Sequence, residues 1–142
     1  MRRTASGRFP LPIPAAEAIG FFTPEGERTW APGWDPTYLG EAPTEAPGTV
    51  FVTSHGDTDT IWIVQSIDRD AHTSAYSRVT VGHHAGTVHV SCIDGRDGGC
   101  VVHVTYDMSL LPGGDPTDLH AYDEASFQAM MKHWSETISR NL

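Results

Sequence analysis

Tyr76, Arg78 and Thr80 alternate along the run Thr73 to Val81. Alternate residues of an extended strand share a face, so a phenol, a guanidinium and a hydroxyl emerge side by side. Turned inward, this set offers a ligand carboxylate or phenolate a cationic, bidentate donor; turned outward, Arg78 is an ordinary solvated charge. His133 precedes Trp134, and an imidazole that titrates near neutrality can act as an interior general acid or base, or can sit wet beside a packed stripe. Tyr76, Arg78 and His133 are therefore the candidate catalytic residues. The other histidines, of eight in all, specify no metal. His83 and His84 are adjacent and point to opposite sides of a strand, and His89 and His103 lack a carboxylate or thiolate at ligand spacing. No cofactor is expected. No Ser-His-Asp order, nucleophile elbow, phosphate loop or paired-carboxylate signature is visible, which leaves open whether any reaction is catalysed.

The elements that must position these groups begin with an aromatic corner, Phe21 to Leu39, which holds two of the four tryptophans. Thr23 is placed to cap a short helix with Pro24 in its first turn and Glu25 and Glu27 near the positive end of the dipole. Pro32 and Pro36 end it early. Before this corner, a first strand over about Thr4 to Leu11 is confined to a sheet edge by Pro10, and a short helix follows from Pro14 to Phe22. Gly40 to Gly48 reads as a polar loop.

Five β-branched and aromatic runs follow: Thr49 to Thr53, Thr60 to Ile67, Thr73 to Val81, Gly86 to Ile93 and Cys100 to Leu111. Their short Gly/Asp/His turns predict an antiparallel meander. Centring the last hairpin on Arg96 sets Val88 against Val104, Val90 against Val102, Cys92 against Cys100 and His89 against His103, with one face apolar. Asp115 and Pro116 then open a helix expected to run unbroken to about Arg140. Its Leu119, Tyr122, Phe127, Met130, Met131, Trp134 and Ile138 form one apolar face. That face needs a cover of matching size, and the concave side of the sheet is the candidate.

At 142 residues the chain is expected to be a single domain, residues 1–142. A net charge of −9 repels phosphate backbones and anionic membranes, so no nucleic-acid role is expected. Arg2-Arg3 leads into no apolar run, and no segment is long enough to span a bilayer, so a cytoplasmic protein is the expectation. Cys92 and Cys100 form no disulfide framework, and two buried thiols are expected.

The order of elements, and the motifs Phe22-Thr23-Pro24-Glu25-Gly26-Glu27-Arg28, Trp30-Ala31-Pro32-Gly33-Trp34-Asp35-Pro36, Ile61-Trp62, Tyr76-Ser77-Arg78-Val79-Thr80, Ala85-Gly86-Thr87-Val88 and Phe127-Gln128-Ala129-Met130-Met131, resemble the SRPBCC superfamily, in particular its small bacterial members. START lipid-transfer domains, birch-pollen-allergen-like plant proteins and polyketide cyclases belong to this superfamily. The chain departs from the pattern at Val81, where the family carries proline, so a differently shaped turn is expected before His83-His84.

The resemblance implies an α+β helix-grip fold, a curved antiparallel sheet of about seven strands wrapped around the long C-terminal helix, with two short helices after the first strand and a cavity for an apolar ligand. Candidate lining residues are Trp30, Trp34, Trp62, Tyr76, Arg78, Val90, Val102, Val104, Tyr106, Met130 and Trp134, which otherwise pack as solid core. Three functions remain open on this reading: carriage of a small hydrophobic molecule, a cyclase, aromatase or dehydratase type of enzyme, and a chaperone-activator-like interaction protein. Exposed edge strands make a homodimer reasonable.

Overall fold

The computed structural model describes residues 1–41 and 44–142. Seven strands form one antiparallel sheet: β1 (Arg2–Leu11), β2 (Thr37–Leu39), β3 (Val50–His55), β4 (Thr58–Asp68), β5 (Thr73–Thr80), β6 (His84–Asp94) and β7 (Cys100–Leu110). Their order is β1-β7-β6-β5-β4-β3-β2. β1 and β2 thus lie at opposite edges, and the segment joining them must cross one end of the sheet. It does so as α1 (Ala15–Ala18) and two 3-10 turns, Ile19–Phe22 and Gly26–Thr29. Pro10 falls on the edge strand β1, where no neighbour needs its missing N–H. Thr23 Oγ1 accepts from Gly26 N at 3.0 Å and donates to Gly20 O at 3.1 Å, which couples the two turns. The short strand β2, built from Thr37-Tyr38-Leu39, was not expected inside the aromatic corner; Tyr38 pairs with Phe51 on β3. Ala42 and Pro43 of the expected polar loop lie outside the described residues.

Hydrophobic alternation puts Ala5, Phe9 and Leu11, Val88, Val90 and Cys92, and Val102, Val104, Tyr106 and Met108 on the buried concave face. The β6–β7 register corrects the sequence expectation by two residues. Cys92 lies opposite Val102, Val90 opposite Val104, Val88 opposite Tyr106 and His89 opposite Thr105. Gly95 N donates to Gly99 O at 2.8 Å, which closes a loop centred on Asp97 instead of Arg96, with Gly98 at a positive φ of 84°. A slip of two preserves face parity, so the apolar face survives the correction. Cys92 and Cys100 are buried, free thiols and not a directly opposed pair. On β4 a bulge at Gln65 shifts the pairing from Val64 with Tyr76 to Ser66 with Ala75 and bends the strand.

The C-terminal helix is not continuous. Asp115 and Asp118 form a reciprocal capping box over a 3-10 segment, Pro116–Tyr122; the chain then turns extended at Asp123 (ψ 150°) before α2, Glu124–Ser139. The break lets Tyr122 stack on Tyr106, at 5.3 Å between ring centroids, while Phe127 and Trp134 of α2 approach the same tyrosine at 5.7 and 6.4 Å. An ion pair between Arg3 and Asp123 ties the break to β1. Gly7 on β1 supplies the room for α2: a Cβ there would stand 2.7 Å from Met131 Cγ and 3.2 Å from Phe127 Cε2. The helix therefore lies in the hollow of the sheet. Among the described residues no helix is long and apolar enough to cross a membrane, and no cluster of three metal-ligating side chains occurs.

Candidate ligand-binding site

The concave face carries one charged side chain in its middle. Arg78 sits opposite Trp62 on β4 and Gly86 on β6, so it has an indole on one side and no side chain on the other. Its guanidinium carbon lies 4.6 Å from the centre of the Trp62 ring, in cation–π geometry. Nη2 makes a long hydrogen bond to Thr80 Oγ1 at 3.3 Å, the Tyr106 hydroxyl is a second hydrogen-bonding neighbour of the guanidinium, and the buried Nε has no partner. Among the described residues no carboxylate lies within ion-pair distance of it. Arg78 thus faces inward, the alternative that makes it available to a ligand.

Around Arg78 the interior is polar over a small area. Thr60 and Thr80 share a hydrogen bond of 2.8 Å across β4 and β5. Tyr106 and Tyr122 stand close by, and burial raises both phenols above their ordinary pKa. His84 is buried against Tyr122 at 6.0 Å with Nδ1 unpartnered. Burial, helped by the Arg78 cation, lowers its pKa and keeps the imidazole neutral.

Glu27 projects from the 3-10 turn Gly26–Thr29. The turn sorts its charges: Arg28 bridges Glu25 and Asp35 on the outside, at 3.0 and 2.6 Å, and Tyr38 donates to Glu25. Glu27 instead shares its side of the turn with Trp30, three residues on, where side chains of a 3-10 helix eclipse. Its carboxyl lies within electrostatic reach of Arg78, Tyr76 and Tyr106. Desolvation, against the opposing pull of Arg78, pushes its pKa up to about 8. The residue is half-buried.

Rings surround this polar patch. Phe22, Trp30, Trp134 and Tyr106 follow one another at centroid distances of 5.8, 5.3 and 6.4 Å. On the other side Trp34, Trp62 and Tyr76 do so at 5.2 and 5.9 Å. Several of these rings are pinned by their polar ends: Trp30 Nε1 donates to Phe21 O, Trp34 Nε1 to Pro24 O, Trp62 Nε1 to Thr53 Oγ1 and Tyr76 Oη to Phe22 O, all between 2.7 and 2.9 Å. Arg78, Thr60, Thr80 and His84 border a shallow, open depression of about 370 Å³ whose other walls are His55, Thr58, His83 and Asp118. The β5–β6 turn forms part of this rim: His83 N bonds back to Thr80 O, Gly82 takes a φ of 83°, and His83 Nδ1 contacts Asp118 at 2.9 Å.

Among the residues singled out from sequence, Trp30, Trp62, Tyr76, Val90, Val102, Val104 and Tyr106 are buried in the concave core, and Trp34, Met130 and Trp134 pack against it half-buried. Arg78 joins them. His133 is exposed on the outer side of α2, too far round the helix to serve the interior, and the Tyr76 hydroxyl is committed to the Phe22 carbonyl. Sequence reasoning missed Glu27 and His84. Both left a signal: Glu27 is one 3-10 repeat from Trp30, and His84 shares strand parity with Val88 and Val90.

No protein-family model matches the chain, and no curated protein matches it in sequence. Solved structures do resemble it. A protein from Thermobifida fusca superposes with a TM-score of 0.70 at 19% identity, over 96% of this chain and 93% of that one. Ara h 8.0201 gives 0.70 at 16%, over 99% and 97%. Norcoclaurine synthase from Thalictrum flavum gives 0.66 at 9%, over 97% and 87%. At such identities the likeness speaks for the backbone architecture alone, which agrees with the seven-stranded sheet and the helix in its hollow: the chain has the helix-grip fold that these structures share.

Proposed function

We propose that this protein binds a small, mainly apolar molecule between the concave face of the sheet and α2, with one acceptor group of that molecule anchored at Arg78. The observation that carries this reading is the incomplete pairing of Arg78, a half-buried cation on an aromatic surface with a buried N–H left over. Such a group costs stability unless something outside the chain completes it. The rings of Trp62, Trp134 and Tyr106 suit an apolar or aromatic body, and Met130 adapts to its outline. Ara h 8.0201 and norcoclaurine synthase share the fold, and the second of these is by name an enzyme. Native mass spectrometry of protein purified from its own host tests the proposal: a small-molecule adduct lost on denaturation is expected. A chain that carries no adduct and also leaves the fluorescence of N-phenyl-1-naphthylamine unchanged overturns it.

Glu27 favours a second reading, in which the same space turns over its ligand in a reaction of the cyclase, aromatase or dehydratase type. A carboxyl that exchanges its proton near neutral pH beside a guanidinium and a phenol can move protons on a bound substrate. Loss of turnover with retained binding in Glu27→Gln would separate this reading from simple carriage.

A further inference from the structure

We infer that the acceptor group held at Arg78 is a singly charged oxyanion, a carboxylate in a natural ligand, and that His84 is its second anchor. The inference rests on the binding reading above and specifies the head group of the ligand. Where β5 pairs with β6, Arg78 faces Gly86 and Thr80 faces His84. Arg78 and His84 are thus diagonal neighbours on one face of adjacent strands, roughly 7 to 8 Å apart at the backbone and within reach of a long side chain. Both border the same depression, together with Thr60 and Thr80. What these side chains leave over is hydrogen-bond donors. Arg78 Nε is buried without a partner, and so is Nδ1 of His84, a residue only 9% exposed. Burial and the Arg78 cation keep that imidazole neutral, so it carries one N–H, which can sit on Nδ1. Thr60 and Thr80 share one hydrogen bond, and Thr80 also accepts from Arg78 Nη2; whichever way the first bond runs, one hydroxyl hydrogen is left over. A guest rich in lone pairs satisfies all three at once.

Charge decides which lone pairs. The one carboxylate in the wall, Asp118, is already engaged: its Oδ2 accepts from Asp115 N at 3.1 Å and contacts His83 Nδ1 at 2.9 Å. The Arg78 guanidinium therefore awaits one negative charge from outside the chain. A dianion such as a phosphate monoester would bring a second charge that meets only Asp118 and a chain of net charge −9, both repulsive. A carboxylate brings one charge and two oxygens, one for the guanidinium and one for the imidazole, at charge-assisted distances of about 2.8 Å. Two rings flank that position and suit an apolar or aromatic body behind the head group. Trp62 lies against the guanidinium, and Tyr122 stands edge-on to His84 with the centroids 6.0 Å apart.

Competition at pH 8 tests this, with the monoanionic dye 8-anilinonaphthalene-1-sulfonate as reporter. Benzoate, benzamide and phenyl phosphate share one body and differ in head group. Benzoate should displace the dye at a concentration about tenfold or more below that needed of benzamide or of phenyl phosphate, the worth of a hydrogen bond to a charged group. His84→Phe keeps a ring against Tyr122 and removes the N–H, and should shrink the preference for benzoate over benzamide to about threefold or less. Arg78→Met should abolish it. Independently of how the variants fold, the His84 ring nitrogens of the wild-type protein, followed by NMR, should shift with benzoate and not with benzamide. Equal displacement by benzoate and benzamide, displacement by phenyl phosphate as strong as by benzoate, a preference that survives either variant, or a His84 ring signal that benzoate leaves unmoved overturns the inference, while binding of the neutral N-phenyl-1-naphthylamine keeps the apolar reading in place. If neither dye binds, the binding reading itself falls and the inference falls with it.

Discussion

Replacing Arg78 by methionine should make the protein more stable and less able to bind an anion. Arg78 gains a cation–π contact with Trp62 at 4.6 Å, of about 1 kcal/mol for a half-buried pair, and weak hydrogen bonds to Thr80 and Tyr106. Against this stand the loss of hydration of a charged group and a buried Nε without a partner, together about 3 kcal/mol or more. Methionine is two atoms shorter but unbranched and flexible, so it fills the inner part of the slot beside Gly86 and brings its sulfur toward the indole. The net expectation is a gain of about 1 kcal/mol, a rise in Tm of about 3 °C for a domain of this size. Urea unfolding followed by tryptophan fluorescence reads it as a higher midpoint at unchanged m-value. The same variant should lose its preference for 8-anilinonaphthalene-1-sulfonate over N-phenyl-1-naphthylamine. A loss of stability greater than about 1 kcal/mol would refute the reasoning, because it would mean that the guanidinium is satisfied within the fold.

Further expectations concern the frame around the site. Gly86→Ala should destabilise by about 3 kcal/mol, since its Cβ would stand 1.9 Å from the Asp107 carbonyl oxygen, a backbone atom that cannot swing away; chemical denaturation measures this. Tyr76→Phe should cost about 1 to 2 kcal/mol in the same assay, because it leaves the Phe22 carbonyl buried without its donor. Cys92, its thiol pushed up to about 12 by burial, should react with a thiol reagent only as fast as the protein unfolds. Glu27 also makes stability depend on pH. Its folded pKa is raised, so the stabilisation is complete below the ordinary carboxyl value and is lost as pH rises through about 8. His84 has the opposite sign and acts below its ordinary value, so thermal melts between pH 6.5 and 8.5 isolate the fall, and Glu27→Gln should remove it.

Much of the frame was legible because alternation is a strong signal. The five runs from Thr49 to Leu111 appear as β3 to β7, and the order of strand, short helices, meander and C-terminal helix matches the helix-grip architecture. What was hidden depends on where the chain turns. The β6–β7 pairing hinged on which residue of Ile93 to Gly99 centres the loop, a choice made by the positive φ at Gly98 and the Gly95–Gly99 bond. The helix from Asp115 contains no proline or glycine after Pro116, so nothing local announces the break at Asp123; the gain is tertiary, the stacking of Tyr122 on Tyr106. β2 is three residues long and owes its form to the pairing of Tyr38 with Phe51. At the site, Arg78 could be given a face only once the sheet's curvature was known. Glu27 looked like a residue serving the helix dipole, because the 3-10 geometry that turns it inward beside Trp30 is not written in the amphipathic pattern of an α-helix.

The most direct measurement is an NMR titration of the wild-type protein with 8-anilinonaphthalene-1-sulfonate at pH 7, which follows the Arg78 Nε–H and the four tryptophan indole signals. The account predicts that the Arg78 signal moves with those of Trp62 and Trp134 in a saturable, one-site manner, while amides of the outer face such as His89 and Thr105 stay in place. Shifts centred on the outer face, or an Arg78 signal that does not respond while the dye binds, would contradict it.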